Sequence, residues 1–402
     1  MEYNNNAEGN KVYIVGGLRT PIGKTNGDLK DILPEKLVGY LIKNIIKKYN
    51  IKGEYVEEVI LGNAIGPGGN LARLSLLEGG LPVSVIGTTV DFQCGSSLKA
   101  INMAASMIKS GERDLIIVGG VESTSLAPNK QYNERDPRYE GKDVFYKRAQ
   151  FSPNFIGDPD MIEGAENTVK HFNIKREEMD KLAVESHFKA IKAKKEGKLK
   201  SSICNIKLKD FPLHKNKIEY LTICDDESIR KNISLNLVKR ARPILNKHGS
   251  ITSANACLTH DGGAILLMAS EKAINQYNLS PRAIWRGESS IGLDPNLSPL
   301  GATLSIEKLL NKYNLNIDDI DLVEINEAFS LKIALFLKNF NYPREKINIY
   351  GGALAYGHPY AASGAIIMLH LLEGLKNEGG KLGIASMGVA GGLGVATLVE
   401  SC

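Results

Sequence analysis

Two stretches far apart in this chain run through the same order of elements, and that recurrence limits the fold more than any other feature. The first opens with a strand in EEVILGNA (57–64) and crosses a long interval to a second strand (85–92). A loop holding Cys94 follows, then an apolar helix from Ser96 to about Ser110, a Gly-Glu turn and the strand DLIIVGG (114–120). The second stretch has DLVEINEAF (321–329), the strand INIYGG (347–352), a loop holding His358, an apolar helix from about Ser363 to Leu375, a Gly-Gly turn and KLGIASMG (381–388). Self-similarity of this kind predicts two copies of one α/β unit. Segments 101–108 and 365–372 are apolar on nearly every face, and the strands are unbroken apolar runs. Elements of that kind are buried on two sides, so stacked layers are expected rather than one open sheet.

Between the copies the composition changes. From Pro128 to about Lys247 the chain is rich in Lys, Asp, Asn and Tyr, with one clear amphipathic helical stretch at 176–197. This is too long for a connecting loop and is expected to be an inserted surface subdomain that shapes a binding site. The expected organisation is therefore a first half at 1–127, an insertion at 128–248, completion of the first half at 249–278 and a second half at 279–402.

A net charge of +5 is small for 402 residues, and no Lys/Arg patch is interleaved with aromatics, so nucleic acid is not an expected partner. The five cysteines (94, 204, 224, 257, 402) are odd in number and lack C-x-x-C spacing, which suggests neither a disulfide framework nor a zinc site. The start MEYNNNAEGN has no apolar core, and nowhere do about eighteen uncharged apolar residues run together. LVESC is neither a peroxisomal tripeptide nor a C-a-a-X box. No membrane is expected, and the cytoplasm is the expected location.

Cys94 stands where a strand gives way to a helix. Unpaired N–H groups and the positive end of the helix dipole favour a thiolate there. The competing reading, a buried structural cysteine, is the commoner fate of a lone Cys, and Cys94 alone does not separate the two. His358, held between Gly357 and Pro359, taken alone is more often a turn or packing residue. In the mirrored loop of the other copy, however, it would face Cys94 if the halves pack about a pseudo-twofold, and a Cys-His pair is the arrangement of an activated nucleophile. Asn326 follows the strand LVEI and would orient a water or His358, an oxyanion role without titration. The run GVAGGLGVA (388–396) lacks the Lys-Ser/Thr of a phosphate loop. Bare turn glycines are one explanation of it, and a backbone that must approach a thioester oxygen closely is the other.

Together these motifs resemble those of the thiolases, the acyl-CoA C-acyltransferases. The resemblance covers nearly the whole chain: LRTPIGK (18–24), GNLAR (69–73), QCGSSLKA around Cys94, GGVESTSLAP (119–128), MIEGAEN (161–167), NEAF (326–329) and GGALAYGHPYAASG (351–364). It implies a duplicated thiolase-type fold in α-β-α-β-α layers with an inserted loop subdomain. It implies ping-pong acyl transfer that forms or cleaves a short 3-ketoacyl-CoA, with a place in fatty acid metabolism. Cys94 is similar to the nucleophile that carries the acyl group as a thioester. His358 matches the base that deprotonates it, sharing an oxyanion hole with a water held by Asn326, and the N–H groups of Cys94 and Ala390 would form a second hole. Arg230 would meet the CoA nucleotide, and pantetheine would pass Ala256 and Cys257. No permanently bound cofactor is implied, CoA and acyl-CoA being substrates, and the assembly would be a homodimer or homotetramer.

The sequence departs from the pattern in several places. The family's second cysteine, which moves the Cα proton, falls at Gly388, and glycine cannot move a proton. Cys257 stands where a serine is common. Tyr360 and Ala361 replace an aliphatic residue and a glycine, and SPLG (298–301) replaces a Met-Gly acyl-pocket loop. Cys257 is the expected substitute shuttle, with serine-like packing as the alternative. Two further functions stay open: a thiolase-like acyltransferase to a non-CoA acceptor, and a non-catalytic acyl-CoA-binding subunit. A ketoacyl synthase shares the fold, but NEAF beside GHP and the long insertion favour a thiolase.

Overall fold

The computed structural model describes residues 10–146, 148–211 and 221–402. The first half comprises β1 (Val12–Arg19), β2 (Gly23–Lys24), α1 (Pro34–Lys48), β3 (Glu58–Gly62), α2 (Leu71–Glu78), β4 (Ile86–Val90), α3 (Ser96–Lys109) and β5 (Leu115–Glu122). Then come α4 (Met161–Phe172), α5 (Arg176–Lys195), the short ribbon β6 (Ile206–Lys207) and β7 (Thr222–Ile223), and α6 (Leu235–Val238). The chain returns through β8 (His260–Ser270) and α7 (Glu271–Gln276). The second half comprises β9 (Ala283–Gly292), α8 (Gly301–Tyr313), β10 (Leu322–Ile325), α9 (Leu331–Asn339), α10 (Ala353–Tyr356), α11 (Ser363–Glu378), β11 (Leu382–Val389) and β12 (Leu393–Ser401).

The strand pairings make the duplication explicit. In the first half β1 pairs antiparallel with β8, β8 antiparallel with β5, β5 parallel with β3 and β3 parallel with β4. In the second, β9, β12, β11 and β10 follow the same antiparallel, antiparallel, parallel order. The two ladders touch edge to edge through Tyr13↔Ile284 and Ile14↔Ala283, so hydrogen bonding runs on from one half-sheet to the other. The predicted strand at 347–352 does not form. Only Ile347 bridges to Val323. Asn348 turns into the left-handed region (φ 45°), and its side-chain amide accepts from Ile325 N–H (2.8 Å) and donates to Ile325 C=O (2.9 Å), replacing a fifth strand.

Alternation along each strand sends side chains to opposite faces, and this builds the layers. Ile60, Ile116 and Val118 join Met387, Val395 and Val399 around α3 and α11, which lie side by side between the half-sheets. Val59, Leu61 and Ile117 face the other way, under α1 and α2. Val323, Ile325, Ile384 and Leu398 face α8 and α9. The five-layer expectation holds, and α11 explains its apolar circumference: every residue from Ser363 to Leu375 is buried.

Besides the predicted helix, α5, the segment between β5 and β8 contains α4, which the sequence reading did not predict. Asp160 and Glu163 form a reciprocal capping box there. The segment is fastened to the body by buried polar contacts. Arg19 and Asp226 pair bidentately (2.8 and 2.9 Å), and Ser186 Oγ donates to Glu327 (2.6 Å). No helix among the described residues is long and apolar enough to cross a membrane.

Candidate active site

Cys94 is held by a tight elbow between β4 and α3. Gln93 adopts φ 47°, Asp91 Oδ1 accepts its N–H (2.8 Å), and Ser96 Oγ accepts from Phe92 N–H (2.8 Å) while donating to Gln93 C=O (2.5 Å). A polar-residue elbow in a left-handed conformation is strain kept at a site where direction matters. Desolvation pushes the Cys94 thiol up to about 11, with Glu122 adding to the rise; Lys332 and the residue's own N–H oppose it only in part. Removal from water outweighs the helix terminus, so the resting sulfur is protonated.

His358 arrives from the second half. Gly357 before it has φ 114°, and a Cβ there would come within 2.4 Å of the His260 ring, so only glycine turns the chain at this point. The imidazole is 2% exposed. Its Nδ1 lies 2.6 Å from Ser363 Oγ and its Nε2 3.4 Å from Asn326 Nδ2. An amide nitrogen donates, so Nε2 accepts and Nδ1 carries the hydrogen. Burial, then the charges of Lys332 and His260, pull the ring down to about 3, so it rests neutral. Asn326 N–H donates to Ser386 C=O (3.0 Å), while its Oδ1 is buried without a protein partner. The starts of α3 and α11 touch, Ala365 N–H donating to Ser97 Oγ (2.9 Å). Among the described residues no hydrogen bond joins the Cys94 thiol to His358 or Asn326.

Ala390 lies buried in the turn between β11 and β12, ahead of Gly391 and Gly392, both at positive φ. Among the described residues no protein acceptor takes the N–H of Ala390 or of Cys94. Cys257 N–H donates to Ala328 C=O (2.9 Å) and Ala256 bridges to Phe329, which lays segment 255–257 alongside the NEAF corner. Burial, then the neighbouring Cys94, push the Cys257 thiol up to about 12. Arg230 is exposed on the insertion and donates to Ser253 C=O (3.1 Å).

Three residues at the site were not assigned a role from sequence. Tyr360 has φ 25°, strained for an aromatic residue, and its ring meets the His358 ring edge-on at 5.5 Å. Glu122 is buried at the end of β5 and accepts from Asn63 Nδ2 (2.7 Å), Ala64 N–H (3.1 Å) and Ala361 N–H (3.4 Å), tying the first half to the loop after His358. Lys332 is 1% exposed in the second position of α9, and the signal for it was present: one charge inside the apolar run LKIALFL.

Models of the thiolase N-terminal and C-terminal domains match residues 12–272 and 279–401. A putative acetyl-CoA C-acetyltransferase of Staphylococcus aureus, VraB, is 37% identical over 97% of this chain and 99% of its own length. One of Bacillus subtilis, YhfS, is 38% identical over 96% and 98%. Among solved structures, the Bacillus anthracis acetyl-CoA acetyltransferase superposes with a TM-score of 0.92 at 33% identity, covering 99% of this chain and 100% of that one. Human mitochondrial 3-ketoacyl-CoA thiolase in complex with CoA gives 0.88 at 30% identity, covering 98% of each.

Proposed function

Because this chain belongs to the thiolase family, we propose that it works as a thiolase-type acyl-CoA C-acyltransferase whose acyl group rides on Cys94. The observation that carries this reading is the contact of the helix start after Cys94 with the helix start after His358 (Ala365 N–H to Ser97 Oγ, 2.9 Å), with Tyr360 set against the His358 imidazole and within the field of the Cys94 thiol. In the first half-reaction His358 takes the thiol proton, the thiolate attacks the acyl-CoA carbonyl, and the proton passes to the departing CoA thiolate. The unengaged N–H groups of Cys94 and Ala390 are suited to the thioester oxygen. Asn326 with His358 is suited to the second acyl oxygen. In the second half-reaction an acyl-CoA carbanion takes the acyl group, giving a short 3-ketoacyl-CoA, and thiolysis is the reverse.

Segment 128–248 is assigned to the CoA nucleotide, with exposed Arg230 as a phosphate contact and Ala256 and Cys257 along the pantetheine path. The free edge of β4, where Ile86 is 46% exposed next to Val83 at 79%, supports assembly with a second copy as a homodimer or homotetramer. The five free cysteines suit a reducing compartment, and we place the protein in the cytoplasm, in fatty acid metabolism. The test is intact-mass spectrometry after acetyl-CoA: one acyl adduct in the native chain, none in Cys94→Ala. An adduct surviving that substitution refutes the assignment.

A further inference from the structure

A buried cation is ordinarily matched by a carboxylate, as Asp226 matches the Arg19 guanidinium. Lys332 is buried just as deeply, yet among the described residues the one hydrogen bond of its Nζ runs to the carbonyl oxygen of Gly388, 2.7 Å away. The groups whose charge acts on it are the thiols of Cys94 and Cys257, and its own charge acts on both of them and on His358. Its nitrogen is therefore anchored to the strand end that leads to Ala390, within electrostatic reach of three residues of the site. Gly388 offers no group of its own. A Cβ there would press at 3.0 Å on backbone atoms of Ser298, Pro299 and Ala302, so the segment before α8 closes the space a side chain would need.

We propose that Lys332 is the acid–base that moves the Cα proton in the carbon–carbon step, an assignment that rests on the Cys94 thioester mechanism. In condensation the neutral amine takes a proton from Cα of the second acyl-CoA, and the C–H electron pair forms the new bond to the carbonyl carbon of the Cys94 thioester. The C–S bond breaks with its pair on sulfur, and the Lys332 ammonium then protonates the Cys94 thiolate. Cleavage reverses each transfer, the ammonium protonating the departing Cα. Desolvation brings Lys332 down to about 8, so both protonation states are accessible near neutrality. Cys257, pushed the other way, stays a protonated thiol near neutrality and so does not take the Cα proton.

The test compares Lys332→Gln, Lys332→Arg and Cys257→Ser in the full chain. The glutamine keeps a donor for Gly388 C=O, and the arginine keeps the charge but does not release its proton. The readouts are acylation by acetyl-CoA on intact mass, deuterium uptake at Cα of acetyl-CoA in D₂O, and acetoacetyl-CoA thiolysis. Both Lys332 variants are expected still to form the acyl adduct, more slowly in Lys332→Gln because the charge that lowers the Cys94 thiol is gone, and the adduct also shows that the site has folded. Their exchange and thiolysis should fall by roughly 10²–10⁴ beyond any fall in acylation, whereas in Cys257→Ser, on the pantetheine path, exchange should fall no further than acylation does. Native exchange in Lys332→Gln, or loss of exchange in Cys257→Ser alone, overturns the assignment. So does loss of acylation in both Lys332 variants, which would make the lysine a structural support. Failure of the native chain itself to acylate would instead sink the thioester mechanism.

Discussion

Removing the Ser363 hydroxyl tests the tautomer on which the proposed acylation depends. The ring of His358 is neutral, so its two tautomers compete, and only the one with hydrogen on Nδ1 leaves Nε2 free to accept. Asn326 Nδ2 at 3.4 Å is a long contact, whereas Ser363 Oγ at 2.6 Å is a close one, so the serine contributes most to fixing the ring. In Ser363→Ala the Nδ1–H loses its partner in a buried place, which costs about 1–3 kcal/mol. If that cost falls on the productive tautomer, acylation of Cys94 slows by about 5-fold to about 150-fold. Quenched-flow mass spectrometry of the acetyl adduct measures this directly. Ser363→Thr keeps a hydroxyl and should recover part of the rate. Ala362, not Ser363, occupies the N-cap of α11, so helix stability should change little. Acylation at the native rate in Ser363→Ala would show that another contact sets the tautomer.

Asn326→Ala should leave Cys94 able to acylate but lower turnover by roughly 10²–10³, the usual cost of an oxyanion contact, as seen in steady-state thiolysis. Asp226→Ala leaves the Arg19 charge buried and unmatched, a loss of about 3–5 kcal/mol. At about 2.1 cal/mol/K per residue this corresponds to a Tm about 4–6 °C lower by calorimetry. Desolvation raises the Glu122 carboxyl from 4.5 to about 7. The native state thus binds that proton more tightly than the unfolded chain, so stability falls as pH rises through 4.5 to 7. Glu122→Gln should flatten the slope of unfolding free energy in that window, and an unchanged slope would mean another group titrates there.

The duplication was legible because buried elements carry a simple code: apolar runs at strand length, an all-apolar helix, and glycine at each turn. Cys94 and His358 could be set against one another from sequence because they occupy equivalent loops of the two copies, and the helices that follow them touch at their starts. What the sequence obscured was local. Segment 347–352 has strand composition, yet the Asn348 side chain supplies the ladder bonds an extended backbone would have made. The strength of desolvation at Cys94 was not legible, because a helix terminus is visible in sequence while burial depends on the core that both halves build around it. Lys332 stood in plain view as a charge in an apolar run. Its meaning depended on Gly388, whose carbonyl is its partner only in the folded chain.

The shared position of β1 and β12 on either side of β9 has a topological consequence. Ala283 pairs with Ile14 on one side and with Ser401 on the other. The first and last strands are therefore two strand spacings apart, about 10 Å, a gap that about four linker residues can span. The crossing between the halves is mostly exposed near Asn278 and Ser280. A circular permutant opened there, with the original ends joined, would preserve every pairing in both half-sheets while reversing the order in which the halves are made. Its site should assemble all the same, because the helix starts behind Cys94 and His358 touch through docking of the halves rather than through the peptide that connects them.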